Sequence, residues 1–202
     1  MKQYKKQNLL LIIIIFSLTH AIGQIRPERS DPEIRIQISP QISGDGFIIE
    51  ATNDNTWMDD AFGFEIGSSY SMNLINNLWL NAGIGVFHSK NNINIYFKES
   101  QSLSFNIIKV PIGVGYDIMD WLRLNGGISI DYQYNNKDGQ YISNQSGLSL
   151  NFAPTYIYSI TDQFSLHAGL IFSHYSVISF NNDIYKDRIM TYGITIGLST
   201  NL

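Results

Sequence analysis

Between Lys109 and Tyr134 the chain reads KVPIGVGYDIMDWLRLNGGISIDYQY, and alternate positions sort into two chemistries. Val110, Ile112, Val114, Tyr116 and Ile118, then Leu122, Leu124, Ile128, Ile130, Tyr132 and Tyr134, are large and apolar. The interleaved set is Lys109, Gly113, Gly115 and Asp117, then Arg123, Asn125, Gly127, Ser129, Asp131 and Gln133. A period of two marks strands whose faces meet different surroundings. Alternation of this kind covers most of the chain from Ile34 onward, with little helical periodicity.

The pattern predicts eight strands: Ile34 to Ile42, Ala61 to Met72, Leu78 to Ser89, Leu103 to Tyr116, Leu122 to Tyr134, Gly147 to Ile160, Phe164 to Tyr175 and Ile189 to Leu202. In the fourth the phase slips by one near Ile107 and Ile108, which predicts a bulge. The connections at 73–77, 117–121 and 161–163 are short, whereas those at 43–60, 90–102, 135–146 and 176–188 are longer and rich in Asn, Asp, Ser and Gly. This alternation of short and long connections predicts an up-and-down antiparallel meander with turns on one rim and loops on the other.

Three features place the apolar face outside. The apolar faces carry no Asp, Glu, Lys or Arg in the body of any strand, and a Lys or Arg facing a bilayer midplane costs about 2–4 kcal/mol. The opposite face is small and polar, which suits the narrow interior of an eight-stranded barrel. Aromatic residues such as Phe62, Tyr70, Tyr116, Tyr132, Tyr156, Phe164 and Tyr192 sit near strand ends, as in interfacial girdles. The strands are long enough to cross a membrane when tilted, and closure is required because an open edge would leave backbone groups unpaired in oil. The expected fold is an all-β, eight-stranded, antiparallel transmembrane barrel over 34–202. The alternative is a secreted soluble β-barrel ligand carrier, which would need its bulk inside.

The first 23 residues, with Lys2, Lys5 and Lys6 before an apolar run from Leu9 to Leu18 and then Ala21-Ile22-Gly23, have the layout of a secretory signal peptide. Residues 24–33 read as a short polar, periplasmic linker. Removing residues 1–23 leaves ten basic and seventeen acidic residues, a net charge of −7. An acidic exported chain without a basic run is a poor nucleic-acid binder. The chain has no cysteine, which excludes disulfides, thiolate metal sites and a Cys nucleophile.

The tract IKVPIGVGYDIMDWLRLNGGISIDY resembles the small outer-membrane β-barrel domains common in Bacteroidota, the group that includes PorT-like and OmpX-like eight-stranded proteins. The shared elements are an apolar-Pro-apolar strand, a short Asp-containing turn and a Gly-rich return strand. The resemblance implies an outer-membrane barrel with its N-terminus and short turns in the periplasm. It also implies outer-membrane lipid and the barrel-assembly machinery as partners, with envelope or secretion-complex proteins reached through the loops. Family members often end in an aromatic residue, whereas this chain ends in Leu202.

By parity Glu65, Lys109, Arg123 and Asp131 project into the lumen, where they are expected to form a mutually satisfied ion network that plugs the barrel rather than a pore. The stretch FSHYS at 172–176 is similar to the His-x-Ser element of outer-membrane lipid A deacylases, which makes His174 and Ser176 the candidates for an alternative hydrolase reading. That chemistry needs the Ser hydroxyl within reach of the His and an acid to orient the base. The residue after Ser176 is Val177, where that family has Asn. Gly83-Gly85 and Gly113-Gly115 alternate within strands with no helix following, so phosphate binding lacks its context. The acids of the first long loop, Asp45, Glu50, Asp54, Asp59 and Asp60, do not follow EF-hand spacing. No cofactor and no metal site is expected. The reading is a non-enzymatic barrel with a structural, loop-mediated interaction or secretion-accessory role.

Overall fold

The computed structural model describes residues 31–43, 48–49, 56–58, 61–75, 77–95, 101–134, 144–181 and 188–202. The signal-peptide residues 1–23, most of the linker at 24–33 and the five acids of the first long loop lie outside the described residues.

Strands β1 (Glu33–Ser43), β4 (Ala61–Ile75), β5 (Leu78–Ile95), β6 (Gln101–Met119), β7 (Leu122–Gln133), β8 (Gly147–Ser159), β9 (Phe164–Ser179) and β10 (Arg188–Asn201) form the wall. Each pairs antiparallel with the next, and β1 pairs with β10 from Glu33↔Asn201 to Ile42↔Tyr192, which closes an eight-stranded barrel. Two short segments extend the wall at the loop end: β2 (Ile48–Ile49) pairs with β10 and β3 (Thr56–Met58) with β5. The hairpin of β5 and β6 reaches Ile93↔Gln101, so most of the expected second long loop at 90–102 is strand.

Alternation decides the faces. Ile36, Ile84, Ile128 and Leu170 point outward with roughly half or more of their surface exposed, while Lys109, Arg123, Asp131 and Ser129 are buried inside. The wall is apolar and the interior polar, the reverse of what a water-soluble carrier requires. The β-branched and aromatic residues that favour strands are concentrated on the outside, while the inward positions carry Gly, Ser, Thr and paired ions.

Small inward residues also set how closely strands approach. Gly113 on β6 and Gly127 on β7 face each other in register. A Cβ on Gly113 would lie 2.5 Å from the Gly126 carbonyl oxygen and 3.0 Å from Cα of Gly127. Three prolines stand within strands, and lacking an N–H each interrupts one ladder. Around Pro40 the β1–β10 register passes from Ile38↔Ile196 to Gln41↔Gly193, and around Pro111 the β5–β6 register passes from Ala82↔Ile112 to Gly85↔Lys109. Around Pro154 the β8–β9 register passes from Phe152↔Phe172 to Thr155↔Gly169. Each proline keeps its pairing on the other side, with Phe64, Ser129 and Leu124 respectively.

The expected bulge at Ile107 and Ile108 is not there. The β5–β6 register continues unshifted through Val86↔Ile108 and Phe87↔Ile107. Ile107 is a fully buried lumen residue, stacked by parity with Lys109; an apolar residue on the polar face had mimicked a phase slip. The mid-wall irregularity lies instead in β9. Leu148↔Ile178 is followed by Leu150↔His174, so Ser149 alone stands opposite Tyr175, Ser176 and Val177. Ser176 takes φ 51°, the left-handed region, and Tyr175 and Ser176 both turn inward.

Candidate functional site

Large and charged side chains cross the lumen at two levels. The level near the short turns is organised by Arg123 of β7, which is fully buried. Its Nε donates to Asp117 Oδ1 at 2.6 Å and its Nη2 to Asp117 Oδ2 at 3.1 Å, a bidentate pair. Its Nη1 donates to Glu33 Oε1 at 2.7 Å, which also accepts from Arg35 Nη2 at 3.2 Å. The guanidinium lies 4.1 Å from the centre of the Trp79 ring, and Trp79 Nε1 donates to Asp117 Oδ2 at 2.7 Å. Two cations and two carboxylates balance in this layer.

The second level is nearer the loops. Lys109 Nζ donates to Glu65 Oε2 at 2.7 Å and to Asn151 Oδ1 at 3.3 Å. Gln41 Nε2 donates to the same Glu65 oxygen at 3.1 Å, and Thr191 Oγ1 donates to Gln41 Oε1. Asp131 stands opposite Lys109 in the register and accepts from Ser149 Oγ at 2.5 Å. Phe87 and Tyr175, both fully buried, stack at 5.3 Å between ring centres in this half of the lumen.

Above them the segment before β8 turns inward. Gln145 N donates to Gln133 Oε1 at 2.7 Å, Gln133 N to Ser146 Oγ at 2.9 Å and Ile189 N to Gln145 Oε1 at 3.3 Å. These bonds tie β7, β8 and β10 across the loop end.

Of the four ions expected to form one network, the structure brings together Glu65 and Lys109, with Asp131 beside them in register, and places Arg123 in a separate layer. Sequence reasoning missed Glu33, Arg35, Trp79, Gln41 and Tyr175 as partners. Parity places all five on the inner face. Glu33 and Arg35 share the face of Gln37, Ser39 and Gln41, but the apolar alternation begins at Ile34 and left Glu33 in the linker. Tyr175 turns inward at the bulge; plain alternation also points it inward.

The bulge also separates the hydrolase candidates. His174 stands on the outer face with Phe172, and its Nε2 makes no hydrogen bond with any described residue. Ser176, expected to share that face, is fully buried inside; its Oγ donates to the Ser146 carbonyl at 3.3 Å and its N–H to Ser149 Oγ at 2.9 Å. Two residues in sequence normally share a face, and the left-handed turn at Ser176 breaks that rule here. Among the described residues no group of three His, Asp or Glu side chains could hold a metal ion.

No protein-family model and no curated protein matches the chain. Solved structures are similar in fold. Neisserial surface protein A superposes with a TM-score of 0.53 at 16% identity, covering 84% of this chain and 97% of that one. The outer membrane protein OprG from Pseudomonas aeruginosa gives a TM-score of 0.52 at 9% identity, over 86% of this chain and 97% of that one. Ail of Yersinia pestis, solved in complex with the heparin analogue sucrose octasulfate, gives 0.49 at 16% identity, over 84% of this chain and 99% of that one. At these identities the likeness concerns the fold, which is that of the eight-stranded outer-membrane barrels.

Proposed function

We propose that this chain is an exported outer-membrane protein of a Gram-negative cell, whose filled barrel is a rigid mount for its long loops. Its role is structural, or loop-mediated interaction with envelope or secretion-complex proteins, as the Bacteroidota PorT-like resemblance implies. Residues 1–23 act as its signal peptide, and the barrel-assembly machinery inserts it. One observation carries the reading: a wall of exposed Ile, Leu, Val and aromatic side chains encloses a lumen filled by buried ion pairs and ring stacks. Such a wall is stable only against hydrocarbon, and such a lumen stiffens the barrel without conducting. Rigid scaffolds with long loops commonly carry their binding function in those loops.

The test is fractionation followed by electrophoresis. The protein is expected in the outer-membrane fraction, resistant to carbonate, with an unboiled band that runs differently from the boiled one, and reconstituted bilayers should show no steady conductance. Recovery in the soluble periplasmic fraction would overturn the reading. Cross-linking through residues of the loops should then capture an envelope protein as partner. The hydrolase alternative on His174 and Ser176 draws no support from a serine and an imidazole on opposite faces of the wall. Ser176→Ala is expected to leave the acylation pattern of lipid A unchanged by mass spectrometry.

A further inference from the structure

The two ion layers do not touch throughout. Between them the lumen holds a cavity of about 120 Å³, bordered by Arg35, Asn81 and Asn125 on the side of the turns and by Glu65, Lys109 and Asn151 on the side of the loops. Its room comes from the sequence: Gly113 and Gly127, which carry no side chain, form part of its lining, where other strands would project residues inward.

The cavity border carries unused polar atoms. Arg35 Nε, a donor, and Asn81 Oδ1, an acceptor, are buried and make no hydrogen bond with any described residue. Arg35 is only 7% exposed. Its Nη2 is held by Glu33, and Asn81 Nδ2 donates to Asn125 Oδ1 at 3.1 Å. The unsatisfied atoms are therefore the remaining faces of side chains already fixed in place. Leaving a buried polar atom without a partner is costly, and more so when the group is charged.

We propose that this cavity is a binding site for a small cluster of ordered water, with Arg35 Nε and Asn81 Oδ1 as its anchoring donor and acceptor. A water needs about 10–15 Å³ of space for its centre and two to four polar partners, so the cavity has room for several. Asn125, Asn151 and Thr195 supply further polar groups along the border. The cluster joins the turn-side layer at Arg35 to the loop-side layer at Lys109 and Glu65, which lets protons exchange between the layers while Trp79 with Arg123, and Phe87 with Tyr175, still fill the lumen at either end. The inference concerns the interior alone and stands whether or not the loops bind a partner.

The test uses the refolded mature chain in phospholipid nanodiscs, with folding verified by the shifted unboiled band. Nitrogen-edited water–protein cross-relaxation spectra are expected to show contacts from bound water to the Arg35 Nε–H and to the side-chain amides of Asn81 and Asn125. In Asn81→Leu, which places an apolar side chain of similar size at the anchor, the Arg35 contact should fall to noise. Thr195→Val gives a milder change of the same border and should weaken the contact without removing it. A folded wild-type barrel with no water contact at Arg35 means a dry cavity and overturns the proposal. A contact of equal strength in wild type and Asn81→Leu overturns the assignment of Asn81 as anchor.

Discussion

The outer wall and the lumen are made from the same strands, and adjacent residues belong to opposite regimes. Ile128 is about half exposed on the wall, and its neighbour Ser129 is fully buried inside. The strands of the wall are joined by backbone ladders, its outward side chains are apolar, and no described residue in its mid-belt carries a charge. The lumen holds Lys109 and Glu65 out of water as a pair, holds Arg123 against Glu33 and Asp117, and holds Asp131 by the Ser149 hydroxyl. The difference teaches that charge is tolerated here by partner and not by position along the chain. A cation one residue away from its partnered site would stand on the apolar outer face.

The largest effect should come from removing the cation that serves most partners. Arg123→Met strips Asp117 of its bidentate donor and takes from Glu33 the cation 2.7 Å from its Oε1. Breaking a buried pair in this way costs about 3–5 kcal/mol, to be read as a lowered urea midpoint in lipid vesicles. The converse substitution tests the wall. Ile128→Arg puts an unpartnered cation at mid-belt and should cost about 2–4 kcal/mol, seen as slower insertion and a lowered midpoint. Equal stability of Ile128→Arg and wild type would mean that the wall does not face hydrocarbon.

A smaller effect is expected where the two faces are joined by close backbone approach. Gly113→Val adds bulk where even a Cβ would lie 2.5 Å from the Gly126 oxygen, and overpacking of this kind costs about 1–3 kcal/mol. A loss of the shifted unboiled band at lower temperature would register it. The smallest effect sharpens the role of pairing itself. Lys109→Met alone leaves Glu65 with only the Gln41 amide and should destabilise, whereas Lys109→Met combined with Glu65→Leu should return to within about 1 kcal/mol of wild type, because replacing both members of a buried pair by apolar groups is often neutral. If the double variant is as weak as the single one, Lys109 and Glu65 do not act as a pair.

Much of this organisation was legible in the residues. Strict alternation in β4, β5, β7 and β10, and in β6 from Ile108 onward, gave the strand count, the short turns and the face of Glu65, Lys109, Arg123 and Asp131. The two misreadings have opposite causes. Ile107 is apolar yet points inward, so polarity alone suggested a bulge that the register does not contain. Ser176 lies two residues from His174 yet points the opposite way, because a left-handed residue resets the parity. Alternation assigns faces only while the backbone keeps its pleat, and no local composition at 174–177 announces that the pleat is lost.

The sequence by itself determined which residues lie on which face, since period two is a local property of an extended chain. It also determined that the interior would be small, polar and charged. Only the tertiary structure decided who meets whom. Arg123 and Glu33 are ninety residues apart, and their contact depends on the closure of β1 onto β10 and on the stagger of strands around the barrel, neither of which a linear pattern encodes. The same closure divides the ions into two layers and leaves the cavity between them, because the number of strands fixes the width of the lumen while the register fixes the height at which each side chain enters it.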